Sequence, residues 1–406
     1  MWINKLNLLL LTVLLWSCKR INDDCNLQAY PNAPQLLWQT EVKGSKQESH
    51  GHFVLSCQDG GFLQVGETGF IPNTAKILVV KIDENGALIW KKEFGESGHN
   101  LGNAAIETED AYWIAGALAG NSALLKLNKT DGSLILETSI DNGGYDAFES
   151  LSLSSAGIIA VGYINAEDSD NTFFTQGQGY ISLLDLSGNK TKGININQYL
   201  AHAYRIAAAN NGFLISGLTQ DAANYGLIKI DSQANVLWAK NYGGTEADHC
   251  FGMDIDPNGN IFLTGHTTSG TQNWDTYTIK IDADGTQIWE RKVGNPRGFD
   301  PKYIHDEAWG IKCTPDGGCI IVAGTGDEYN NYARKCGPEG DDSNTWHIYL
   351  ISLNKDGNIN WQQTYAGPEG QDWAGEDIDL TLDGGIIVAL DNGQFGFVKL
   401  NLSSVN

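Results

Sequence analysis

Val80-Lys81-Ile82-Asp83-Glu84-Asn85-Gly86-Ala87-Leu88-Ile89-Trp90 decides the fold. An apolar strand ends in Lys-Ile-Asp, a polar turn closes on glycine, and a second apolar strand ends in tryptophan. Nearly the same phrase returns at Ile228–Trp238, Ile279–Trp289 and Ile351–Trp361. β-Branched and aliphatic residues on either side of a Gly/Asn/Asp turn read as a hairpin. A phrase that recurs along one chain reads as a repeat architecture.

Working outward, the repeat unit has four strands. An apolar-Trp strand is followed by a Gly/Asp loop, a strand ending in a D-G-G turn, another strand ending in Gly, a variable loop, and a strand ending in K-[IL]-[DN]. The Trp strand appears at Trp38, Trp90, Trp238, Trp289 and Trp361, and two further copies near Leu134 and Thr191 lack the indole. The D-G-G turn appears at Asp59-Gly60-Gly61, Asp316-Gly317-Gly318 and Asp383-Gly384-Gly385, with weaker forms at Asn210 and Asn258. Spread over residues 36–404, seven units average about 53 residues each, close to a four-stranded propeller blade. One such sheet cannot cover both its faces, whereas seven in a ring can. The expected fold is all-β, a seven-bladed β-propeller over 36–406. A solenoid or a pair of sandwiches is the competing arrangement. The repetitive region begins with a Trp strand and ends with a Lys-Leu-Asn strand (Lys399-Leu400-Asn401). The ring is therefore expected to close by pairing the N-terminal strand, 36–42, with the C-terminal blade.

Composition agrees. Of 406 residues 48 are Gly and only 2 Met, hydrophobic residues make up 41%, and the formal charge is -23. Such a balance suits short strands and turns, argues against disorder, and repels nucleic acid.

In a four-stranded meander the connections alternate between two faces. The D-G-G and D-x-x-G turns share the bottom face, and the variable and inter-blade loops share the top. His50, His52, His99, His202, His249 and His305 fall in inter-blade segments or at the start of an inner strand. His266 falls in a variable loop and His347 follows one, so all eight histidines map to the top. Trp274, Trp309, Trp346 and Trp373 join them, as do Arg205, Arg297 and Arg334 and several carboxylates, among them Asp248, Asp306, Glu307 and Glu376. The longest insertion, 326–345, overhangs the same face. The strand tryptophans, such as Trp90 and Trp289, read as packing between blades. Asp254-Ile255-Asp256-Pro257-Asn258-Gly259 superficially matches a calcium loop, but Gly265 stands where a bidentate Glu is needed, and a hairpin turn is expected instead.

The chemistry these residue types suit is β-elimination on a uronate. A neutral His or a Tyr can take the proton beside the carboxylate, Arg or protonated His can neutralise that carboxylate, and a Tyr can protonate the departing oxygen. His202-Ala203-Tyr204-Arg205 holds all three types. His202, Tyr204, Arg205, His249 and His305 are the candidate catalytic residues. His266, Trp274, Trp309, Arg334, Trp346 and Trp373 are the candidate substrate contacts. The reaction requires no cofactor, and a divalent metal could serve in place of the arginine. The propeller with His, Tyr and Arg resembles the propeller-type polysaccharide lyases, such as ulvan lyases, and that resemblance implies a lyase or dehydratase acting on an acidic poly- or oligosaccharide. The alternative is a non-catalytic propeller that binds glycan or protein at the cell surface.

At the N-terminus, Lys5 precedes an apolar run, Leu6 to Leu15, too short to span a bilayer. Leu15-Trp16-Ser17-Cys18 then resembles a bacterial lipobox. The resemblance implies a signal peptide at 1–17, lipid on Cys18, a tether at 18–35, and a lipid-only anchor at the outer membrane or cell surface, on its outer or its periplasmic side; the chain itself is expected to be a monomer. Six further cysteines remain: Cys25, Cys57, Cys250, Cys313, Cys319 and Cys336. Only Cys313 and Cys319, flanking a five-residue turn, are close enough in sequence to suggest a disulfide.

Overall fold

The computed structural model describes residues 28–167, 177–221, 223–327, 344–368 and 370–402. Cys18, Cys25, Arg334 and Cys336 lie outside them. The described chain forms seven four-stranded antiparallel sheets and no helix. Blades one to six occupy 49–98, 101–140, 145–195, 200–242, 248–293 and 305–365. Blade seven joins Ala374–Leu380, Ile386–Asp391 and Phe395–Asn401 to the N-terminal strand Gln35–Val42, whose ladder runs from Gln35 opposite Asn401 to Val42 opposite Phe395. The inner strand of each blade packs on the next, and that of blade seven packs on that of blade one, so the ring closes. The clasp expected from the phase of the repeat is the one observed.

The fold begins earlier than expected. Tyr30 and Ala33 pack against the cluster that holds Trp361 and Trp373, and the Tyr365 hydroxyl donates to the Pro34 carbonyl at 2.6 Å. The last residues assigned to a tether are thus docked on the blade.

The repeat motif has a mechanical reason. In three blades the lysine of the closing strand reaches across its sheet to the acid of the facing turn: Lys81 to Asp59 at 3.0 Å, Lys126 to Asp110 at 2.7 Å and Lys399 to Asp383 at 2.6 Å. Lys81 is buried, so its charge needs that partner. The outer-strand tryptophans cover a turn of the following blade. Trp90 donates its indole N–H to the Lys129 carbonyl at 3.1 Å, and Trp289 does the same to Lys355 at 3.0 Å. Each ring lies on a glycine with positive φ, Gly132 and Gly357, where a Cβ would come within 2.6 and 2.8 Å of the indole.

Asp256 to Asn260 form the hairpin turn expected there, with Asn260 and Asn258 bonded to the Asp256 carboxylate. The disulfide is not formed. Cys313 and Cys319 stand directly opposite in the ladder, yet both are free thiols. Directly opposed strand positions hold their Cβ atoms about 4.5–5.5 Å apart, wider than the ~3.8 Å a disulfide prefers. Both side chains pack into one apolar cluster, and burial pushes both thiols up.

Candidate active site

Every inner strand breaks its register at the same place in the repeat, and those of blades three and four break it a second time near their start. The ladder slips between Gly51 and Phe53, Gly102 and Ala104, Phe148 and Ser150, Ala203 and Arg205, Cys250 and Gly252, Ala308 and Gly310, and Gly375 and Asp377. A β-bulge leaves one residue unpaired and re-aims its side chain. The seven bulged residues are His52, Asn103, Glu149, Tyr204, Phe251, Trp309 and Glu376. All seven line a single cavity of about 300 Å³, together with Arg205. One side chain from each blade therefore meets on the axis of the ring.

The cavity has two sides. Tyr204, Phe251 and Trp309, from blades four to six, form a continuous aromatic arc with ring centroids 4.8 Å and 4.4 Å apart. Glu376, His52, Asn103 and Glu149, from blades seven and one to three, form the polar side. Arg205 stands beside Tyr204. Alternation along a strand would turn it away from the face that His202 and Tyr204 share, and the bulge between Ala203 and Arg205 brings it to the cavity.

His52 donates through Nε2 to Glu67 at 2.9 Å. Burial opposes its charge, but Glu67, Glu376 and Asp391 outweigh burial and raise it to about 9. Glu376 is pushed up to about 8 by burial and by the charge of Asp391, so it keeps its proton at neutral pH. His202 lies beneath the cavity floor, fully buried. It is stacked on Tyr204 at 4.3 Å and 12°, is 4.4 Å from the Tyr163 ring, and bonds Glu149 through Nε2 at 3.2 Å. Burial, then the charge of Glu149, raises the Tyr204 phenol well above its usual value, so it is a proton donor rather than a base.

The other candidates sit around this centre. His249 and His266 are 5.4 Å apart and each lies 4.8 Å from Trp274. His266 is at the top end of a strand, Ile261–Thr267, rather than in the variable loop, and burial lowers it to about 4. It packs 5.2 Å from Phe251 and 5.6 Å from Trp309, behind the aromatic arc. His305 faces Glu307 at 3.3 Å, and its ring is 6.5 Å from Trp346. Trp373 is not a platform. It is 2% exposed, in the core between blades six and seven, because it precedes an inner strand and meets the preceding blade. Asp248 and Asp306, counted among the top carboxylates, are loop fasteners. Asp306 accepts the Asn295 backbone N–H at 2.5 Å and Asp248 that of Gly244, also at 2.5 Å.

His52, Asn103, Glu149, Phe251 and Glu376 escaped the sequence reading as site residues. Their signal is faint: a small residue, Gly or Ala, precedes or follows the bulged one in six of the seven strands, with Glu149 the exception.

Among known proteins, residues 237–270 match the SBBP beta-propeller repeat. No curated protein sequence matches the chain. Solved structures share its architecture. A catalytically inactive virginiamycin B lyase from Staphylococcus aureus, with quinupristin, superposes at a TM-score of 0.56 and 13% identity, over 90% of this chain and 99% of that one. The WD40 domain of Pan2 from Neurospora crassa gives 0.52 and 13% over 88% and 90%. The quinohemoprotein alcohol dehydrogenase from Comamonas testosteroni gives 0.50 and 11% over 94% and 78%. At these identities the likeness shows the fold alone.

Proposed function

We propose that the axial cavity is a sugar site and that the chain acts there on carbohydrate by β-elimination at a uronate. The observation that carries this reading is the set of side chains the seven bulges bring to one cavity. An aromatic arc suits the C–H face of a sugar ring. The opposite side supplies cations, proton donors and hydrogen-bond partners, and a cavity of about 300 Å³ lies at the lower end of ligand-pocket sizes, suited to a short saccharide.

In the elimination, the C5–H bond breaks and its proton passes to a base. The electron pair forms the C4–C5 double bond, and the C4–O bond breaks toward oxygen, which takes a proton. Arg205 and protonated His52 are placed to receive the uronate carboxylate, which acidifies C5–H. Glu149 is the base, and His202 positions it from below. Tyr204 and Glu376, both held protonated, are the donors for the departing oxygen. His249 and His305 support the arc and the rim rather than the reacting atoms. Virginiamycin B lyase is a lyase on a ring of the same kind, an analogy at the level of fold.

The second reading, a glycan-binding platform without chemistry, is favoured by one observation. His202 and Tyr204 are 0% and 5% exposed and ring-stacked, as packing residues are. The chain enters the ring at Gln35, opposite Asn401 on the bottom face. A lipid on Cys18 would hold the bottom toward the membrane and turn the site outward, in keeping with a surface-anchored enzyme.

The test is to incubate the wild type with a panel of uronate oligo- and polysaccharides and record the ultraviolet absorbance of the unsaturated product. Product is expected from the wild type and not from Arg205→Ala or Glu149→Gln. Saturable binding to the panel with no product from any member would select the platform.

A further inference from the structure

A second cavity opens beside the first. It is a groove of about 740 Å³ across blades six, seven and one on the top face, and it shares Trp309 and Glu376 with the axial cavity. Its floor carries a second indole. Trp346 lies over Gly324 and Gly326, where a Cβ would come within 2.9 and 2.6 Å of its ring. Only glycine at both positions lets the ring lie flat there, and the Trp346 backbone N–H is tied to Asp372 at 2.8 Å. Trp309 and Trp346 thus form two platforms leading from the cavity to the rim.

The charge of the groove differs from that of the cavity. Six carboxyl groups line it; Glu376 keeps its proton and Asp391 faces His50, so Glu41, Glu48, Glu307 and Asp372 set its charge against Lys43. His50 is committed to Asp391 at 2.9 Å. A chain of consecutive uronates would bring its carboxylates against these acids at every ring. A saccharide with a protonated amine would instead be attracted, and its C–H faces would stack on the indoles.

We propose that this groove is a subsite for a cationic amino sugar, adjoining the axial subsite. The substrate class is then an oligosaccharide in which a sugar bearing a free amine neighbours the residue held in the cavity. This rests on the reading of the cavity as a sugar site, but not on the elimination.

The probes are a glucosamine tetramer and its fully N-acetylated counterpart, which share one backbone and differ in charge. They are titrated calorimetrically into the full-length protein below the pKa of the amine. The glucosamine tetramer should bind at least about tenfold more tightly, a gap of about 1.4 kcal/mol. The gap should narrow as salt shortens the screening length from about 10 Å toward about 3 Å. Glu48→Gln with Glu41→Gln, both near the rim, should narrow it at low salt with unchanged melting. Trp346→Ala should weaken both ligands. Equal affinity for the two tetramers, tighter binding of the acetylated one, or no binding of either would overturn the proposal. Charge-selective binding with no elimination product from any uronate would retain the groove and remove the lyase. Product formation that the glucosamine tetramer does not inhibit would do the reverse.

Discussion

Replacing Glu67 by Gln should change how stability depends on pH. His52 and Glu67 are a nearly buried pair, with side chains 19% and 5% exposed and an Nε2–Oε2 distance of 2.9 Å. Glu67, with Glu376 and Asp391 behind it, holds His52 at about 9 in the fold against the opposing effect of burial, compared with 6.5 in an unfolded chain. A raised folded value means that the native state binds the extra proton. Its stabilisation is complete below about pH 6.5 and vanishes as pH rises through about 9. At about 1.36 kcal/mol per unit, the shift is worth about 3 kcal/mol at most. Glu376, raised to about 8, adds a loss of stability of the same sign from about pH 4.5 to 8 in both proteins. The quantity to read is therefore the difference between variant and wild type. Urea midpoints at about pH 6, 7.5 and 9.5 should show the wild type ahead by about 2–3 kcal/mol at the lowest pH and by little at the highest. Parallel curves, with one constant offset at every pH, would mean that the pair contributes packing and no charge, contrary to the expectation.

Deleting 35–42 removes the outer strand of blade seven and bares the edge at Phe395–Asn401, so aggregation or loss of cooperative unfolding is expected, and unchanged melting would contradict the clasp. Unfolding in denaturant without reductant should add Cys313 and Cys319 to the thiols that titrate beside Cys57 and Cys250, whereas a count lower by two, restored by reductant, would mean that the disulfide forms in solution. Tyr204→Phe keeps the ring stacked between His202 and Phe251 and removes only the hydroxyl, so melting should hold while turnover falls about 10²–10⁴-fold, and undiminished turnover would assign the proton to Glu376.

The architecture was legible because the repeat repeats its reasons. The Lys of the closing strand and the Asp of the facing turn recur together because they form an ion pair, as Lys399 and Asp383 do at 2.6 Å. Trp90 and Trp289 recur because each covers the next blade's turn. The closure of the ring followed from the phase alone. The site was legible only in part. Tyr204, Arg205 and Trp309, which line the cavity, are among the sequence candidates, because aromatics and arginine in top segments stand out. Glu149 and Glu376 were not singled out for catalysis, because strict alternation along a strand gives no hint of a bulge, and the bulge decides which residue reaches the axis. Trp373 misled for the opposite reason. Its place near a top loop suggested exposure, while its position before an inner strand buries it between two blades.

One side chain per blade meets in the cavity we propose as a sugar site, and a crystal structure of the Glu149→Gln variant soaked with an unsubstituted uronate disaccharide would show whether a sugar sits there. A sugar ring is expected against Trp309 and Phe251, with its carboxylate on Arg205 and His52. Density for the disaccharide at the rim beside Trp274, with an empty axis, would contradict it.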